Sequence, residues 1–169
     1  GDSASAIERF RAAFDRRPCE TEVVKLFGIP EQPAARVAAA DAIVVSGGNT
    51  ANLLALWRLH RVDEALRAAW ERGAVLGGVS AGGNCWFEAC VTDSFSADLD
   101  GLEDGLGLLP GSFCPHYDGE ERRRPVYRRL VREGFPAGIA CDDGAAAVYR
   151  GAALVEIVTD RPGARAFHV

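Results

Sequence analysis

The chain has 169 residues, of which 48% are hydrophobic and 25% charged, with a formal net charge of -5. That is one domain of ordinary globular composition, long enough to bury a core. A pI near 5.2 gives no basic footprint for nucleic acid, and no apolar run approaches the ~20 residues that span a bilayer, so neither nucleic acid nor membrane is an expected partner.

Residues 3–17 carry Ile7, Phe10 and Phe14 at helical spacing behind Asp2 or Ser3 as a cap. "EVVKLFGI" (22–29) then reads as a strand. A short helix over Pro33–Ala39 leads to the strand "DAIVVSGGNT", followed by a helix through Leu53, Leu54 and Trp57. "VDEALRAAWERG" forms another helix, with Val62, Leu66 and Ala69 as its apolar face and Gly73 as its stop. The strand "AVLGGV" and a helix after Ser80 come next. Beyond Asp93 the pattern loosens into an Asp- and Gly-rich loop. It resumes with the strand "GSFCPHY", a helix from Arg124 or Pro125 to Glu133, and the strand "GIACDD". The final 25 residues, 145–169, hold two turn signals, Arg150-Gly151 and Arg161-Pro162-Gly163, and read as an antiparallel meander.

Alternation of apolar strands and helices predicts an α/β fold, a mostly parallel sheet with helices on both faces and antiparallel strands at the C-terminus. The chain opens on a helix, where such folds usually open on a central strand; either that strand is dispensable or the sequence is expected to lack it. The sheet edge left by that strand would favour a homodimer.

The first residues, "GDSASAIERF", have neither the basic start nor the apolar run of a signal peptide. Five cysteines, Cys19, Cys85, Cys90, Cys114 and Cys141, form an odd set without C-x-x-C spacing. Free thiols in a cytoplasmic protein are expected, with no zinc site.

The stretch "AVLGGVSAGGNCWF" (74–87) raises the chemical question. A strand that bends sharply into a helix needs residues without a Cβ at the bend. Gly78-x-Ser80-x-Gly82 has the form of a nucleophile elbow, which would hold the Ser80 hydroxyl proud of the sheet edge. A serine nucleophile needs a base, and the chain offers His60, His116 and His168. His60 lies among charges at a helix end, and His168 is next to the last residue. His116, in "FCPHYDGE", follows an apolar strand and a proline, a loop position where site residues collect. The loop "SGGNT" (46–50) ends a strand and opens a helix; an amide near Gly48 can pair with that of Ala81 as an oxyanion hole, with Asn49 or Thr50 as the helix cap. For the residue that orients the histidine, Asp142 and Asp143 end a strand, and Asp93 and Asp118 compete. Asp118, two residues from His116, reads as a turn residue.

"SGGNT" followed by "LL", "GVSAGG" leading into "NCWFE", "SFCPHYDGE" and "GIACDDGAA" together resemble the peptidase E and cyanophycinase family of serine peptidases, over most of the chain. The resemblance implies a doubly wound sheet related to class I glutamine amidotransferases and hydrolysis of short peptides, Asp-X dipeptides among them, with no cofactor or metal. It places the nucleophile on Ser80, the base on His116 and the glycine-rich loop on Gly47, Gly48 and Asn49. The acid is usually a glutamate in that family; the matching position is Asp143, a departure that leaves Asp142 or Asp93 as alternatives. In "GEERRRP", Arg122 best matches the basic residue that holds an acidic substrate side chain, whereas "NCWFE" departs from the aspartyl dipeptidase pattern.

Two rival readings stand beside this one. An α/β-hydrolase esterase shares the elbow but would take His168 as base, with Asp142, Asp143 or Asp160 as acid. A non-catalytic small-molecule binding protein would keep the fold without the chemistry.

Overall fold

The computed structural model describes residues 3–169. Asp2, one of the two candidate caps, lies outside them. Ser3 caps the first helix, α1 (Ala4–Phe14), by accepting from the Ala6 amide at 3.5 Å. Helix α2 (Pro33–Ala39) starts on a proline, whose missing N–H is no loss in a first turn.

Strand β1 (Ala42–Val45), helices α3 (Thr50–Leu59) and α4 (Val62–Glu71) and strand β2 (Val75–Gly78) follow. β1 and β2 pair in parallel, Ala42 opposite Val75 and Val45 opposite Gly78. Next come α5 (Ala81–Asn84), β3 (Phe87–Thr92), β4 (Asp100–Leu102), β5 (Leu109–Cys114), α6 (Arg123–Arg132) and β6 (Gly138–Cys141). The chain ends with β7 (Ala145–Arg150), β8 (Ala153–Thr159) and β9 (Ala166–His168).

β3, β5 and β6 are mutually parallel neighbours, and β4 and β9 flank them antiparallel in the order β4-β3-β5-β6-β9. β7 and β8 form a separate hairpin. The fold is thus mixed α/β, with parallel pairing in its interior.

Both faces of the five-stranded sheet are covered, each by its own cluster of buried side chains. One core joins Leu54 and Trp57 of α3, Val62 and Leu66 of α4, and Ile139 and Cys141 of β6. The other packs Ala140 of β6 with Tyr127 of α6, whose hydroxyl lies 2.6 Å from Ser112 Oγ. In β3, Phe87 and Cys90 share the first core while Ala89 and Val91 face the second. Phe87 and Cys90 are three positions apart, a spacing that puts them on opposite faces of a regular strand. A register shift between Phe87 and Ala89 brings them to one face.

Several expectations need correction. Residues 22–29 form no strand. Instead of entering a ladder, the Val23 carbonyl accepts from Arg36 at 3.0 Å, and Val24 and Leu26 pack on the first core. The helix after Ser80 is a single turn, because the apolar run behind it is β3. The loop after Asp93 contains β4. The C-terminal meander also breaks: β9 pairs with β6, Ala140 opposite Phe167, and not with β8.

Candidate active site

The turn from β2 to α5 is built by close backbone approach. A Cβ on Gly78 would lie 1.9 Å from the Gly82 carbonyl oxygen, and one on Gly82 would lie 2.3 Å from that of Val45. Both ends of the G-x-S-x-G motif therefore need glycine for want of room. Between them Ser80 adopts φ +55° and ψ -118°, a region costing a non-glycine residue about 1–3 kcal/mol. Gln32, Arg61, Ser80 and His116 are the four non-glycine residues with positive φ among those described. Gln32 and Arg61 are helix caps; the other two are the candidate nucleophile and base.

The glycine loop after β1 runs beside this serine: a Cβ on Gly47 would stand 3.3 Å from Ser80 Cβ and 3.8 Å from its Oγ. Gly48 has φ +148°. Asn49 caps α3, accepting from the Asn52 amide at 2.9 Å, while its Nδ2 donates to the Ser94 carbonyl at 2.9 Å. Its side chain thus holds the loop in shape. Ser94 Oγ accepts from the Ala51 amide at 3.2 Å and lies 2.7 Å from Thr92 Oγ1. Buried Asn84, at the end of α5, donates to Thr50 Oγ1 at 3.1 Å. Asn84, Thr50, Thr92 and Ser94 thereby join the serine turn to the glycine loop. Thr50 was expected only as an alternative cap of α3; Asn84, Thr92 and Ser94 were not singled out from the sequence, although a lone amide at the head of the apolar run "NCWFEACV" was a readable signal.

His116 follows β5 and Pro115. Its Nδ1 lies 2.6 Å from Asp143 Oδ1, in the turn after β6. The ring is partly buried and the carboxylate half-exposed. With Nδ1 bound to a carboxylate, Nε2 is left as the proton-accepting nitrogen.

The other acids lie elsewhere. Asp142 is buried; its Oδ2 accepts from the Arg165 amide at 3.0 Å, and its Oδ1 is 3.9 Å from Arg124. Asp93 is exposed and lines a cavity of about 290 Å³ with Arg122 and Glu120. Among the described residues neither bonds the His116 ring. Ala81 is the first residue of α5 and is buried. His60 caps α3, and His168 sits in β9 opposite Ile139; no carboxylate pairs with either among the described residues. The esterase arrangement, which needs an acid on His168, finds none.

The run Arg122-Arg123-Arg124 divides among three environments instead of forming one solvated face. Arg122 pairs with Asp98 at 2.5 Å. Arg123 is buried, donating to Glu120 at 2.7 Å and to the Val91 carbonyl at 2.9 Å. Arg124 stacks over Tyr117 and Phe167, 4.7 and 4.9 Å from the ring centroids.

All five cysteines are free. Burial pushes the Cys90 and Cys114 thiols up to about 12 and Cys141 up to about 11, so they stay protonated at neutral pH and are poor nucleophiles. Among the described residues no His, Cys, Asp or Glu cluster is placed to hold a metal ion, and no helix is long and apolar enough to cross a membrane.

Comparison with known proteins puts this α/β chain among the peptidases. The profile of peptidase family S51 matches residues 1–157, and the chain belongs to that family. It is 46% identical over 171 residues to the uncharacterized peptidase YgaJ of Bacillus subtilis (strain 168), a match covering the whole of this chain and 74% of that protein. It is 34% identical over 111 residues to Peptidase E of Citrobacter koseri, covering 59% of this chain and 47% of that one. The protein is a peptidase, and its family is one of serine peptidases.

Proposed function

We propose that the chain hydrolyses short peptides through a Ser80-His116-Asp143 triad. The observation that carries this reading is the 2.6 Å contact between His116 Nδ1 and Asp143 Oδ1, in a chain whose Ser80 stands at a positive-φ turn closed by two sterically required glycines. Asp143 fixes the tautomer, so that His116 Nε2 takes the Ser80 proton as Oγ attacks the scissile carbonyl. The amides of Gly48 and Ala81 hold the oxygen on which negative charge develops. His116 then gives its proton to the leaving amine, and water attacks the acyl-serine by the same route to restore the enzyme.

The layering, with helices on both faces of a partly parallel sheet, supports a doubly wound arrangement related to the class I glutamine amidotransferases. Five unpaired thiols favour a reducing, cytoplasmic setting. Asp-X peptides are the proposed preferred substrates. Arg122 borders an open cavity, and its guanidinium suits a carboxylate side chain.

Mass-spectrometric mapping of cleavage in a dipeptide and tripeptide library tests this, with wild type beside Ser80→Ala and His116→Ala. Asp-X products made by wild type alone are expected. Cleavage of neutral peptides only would overturn the substrate assignment, and undiminished cleavage by either variant would overturn the mechanism.

A further inference from the structure

The candidate acid, Asp143, sits in an exposed turn, where a carboxylate is free to sample several rotamers. Its backbone, however, is gripped from both sides. The Asp143 amide donates to Asp118 Oδ1 at 2.8 Å, and the Asp143 carbonyl accepts from Arg161 Nε at 2.7 Å. A second nitrogen of the same Arg161 guanidinium donates to Asp118 Oδ2, closing the circuit. Three residues from three separate connections thus meet: Asp118 after β5, Asp143 after β6 and Arg161 between β8 and β9.

The surrounding backbone fits the same arrangement. A Cβ on Gly119 would overlap Asp143 Oδ2, so a side chain there would push the carboxylate out of its present position. The turns carrying Asp143 and Arg161 are joined again by the Asp160 amide, which donates to the Gly144 carbonyl at 2.9 Å. The Asp143 amide and, after it, Arg161 hold the Asp118 carboxyl below its ordinary range, keeping it an anion suited to both donors.

From this geometry we propose that Asp118 and Arg161 are positioning residues, a clamp that fixes the turn so that Asp143 Oδ1 meets His116 Nδ1. The proposal rests on the Ser80-His116-Asp143 reading. It also gives the C-terminal hairpin a role, since that hairpin returns the chain to the site through Arg161. The family match ends at residue 157, so Arg161 lies beyond it.

The test follows the rate at which a fluorophosphonate modifies Ser80, read by intact mass, together with the downfield proton NMR signal of a His Nδ1–H bound to a carboxylate. Asp118→Ala and Arg161→Ala are expected to slow modification about 10- to 100-fold, by analogy with loss of a group that orients a catalytic side chain, and to broaden or abolish the signal. Asp118→Asn, which keeps an oxygen for the Asp143 amide but turns an NH2 toward Arg161, should fall between wild type and Asp118→Ala in both readouts and guards against a variant that simply unfolds. Wild-type rate and signal in Asp118→Ala and Arg161→Ala, or no recovery in a folded Asp118→Asn, would overturn the clamp. Wild-type modification of Asp143→Ala would instead overturn the triad reading itself, so the two failures are distinguishable.

Discussion

Gly82 and Val45 meet backbone to backbone: a Cβ on Gly82 would stand 2.3 Å from the Val45 carbonyl oxygen. That contact seats the turn carrying Ser80 against the end of β1, from which the glycine loop departs. Gly82→Ala should force the two apart. A loss of about 1–3 kcal/mol is expected from overpacking, read by urea denaturation, with slower modification of Ser80 in the protein that remains folded. An alanine variant as stable and reactive as wild type would show that the turn is not so tightly seated.

Asn84 is buried and donates to Thr50 Oγ1 and, at 3.4 Å, to the Val91 carbonyl. Asn84→Ala removes the donor to Thr50 Oγ1, while the Val91 carbonyl keeps Arg123, at a cost of about 1–3 kcal/mol. Because Thr50 begins α3 and the glycine loop precedes it, kcat should fall more than KM rises. Steady-state kinetics on any cleaved peptide decides this, and an effect confined to KM would contradict it.

Cys90 and Cys114 give the protein a distinctive alkaline limit. Burial raises both thiols to about 12, whereas an unfolded thiol titrates near ~8.5. Between those values the native state binds more protons than the unfolded one, so stability falls as pH rises, by up to about 1.4 kcal/mol per pH unit per thiol. Cys114→Ala should flatten the decline measured by urea denaturation from about pH 9 to about pH 11. An unchanged slope would show that this thiol does not contribute.

Arg122 is held by an exposed pair with Asp98, a contact worth ~1 kcal/mol or less. An incoming carboxylate can displace it. Arg122→Ala should therefore lower kcat/KM for Asp-X peptides about 10- to 100-fold, in line with a charge-assisted hydrogen bond, and leave neutral peptides unaffected. Equal losses on both substrate types would assign Arg122 a structural role.

Much of the site's local chemistry was legible because it is local. The glycines around Ser80 announce a turn, and the alternation of apolar strands with helices announces the layers. The strand expected at 22–29 failed because apolar pattern alone does not supply a pairing partner, and Arg36 takes the Val23 carbonyl. β3 was hidden because its register shift breaks the period of two, so "WFEACVT" fits neither template. Asp118 and Arg161 were read as turn residues since each looks so within its own segment. Their bonds to Asp143 span 25 and 18 residues, and no spacing rule reaches that far.

The central claim is that Ser80 is a nucleophile activated by His116. Its most direct test is intact-mass measurement after exposure to a fluorophosphonate, on wild type, Ser80→Ala and His116→Ala. A single adduct on Ser80 in wild type, none in Ser80→Ala and a rate at least about 100-fold lower in His116→Ala are predicted. An adduct that persists in Ser80→Ala, or a His116→Ala variant that reacts at the wild-type rate, would contradict the account.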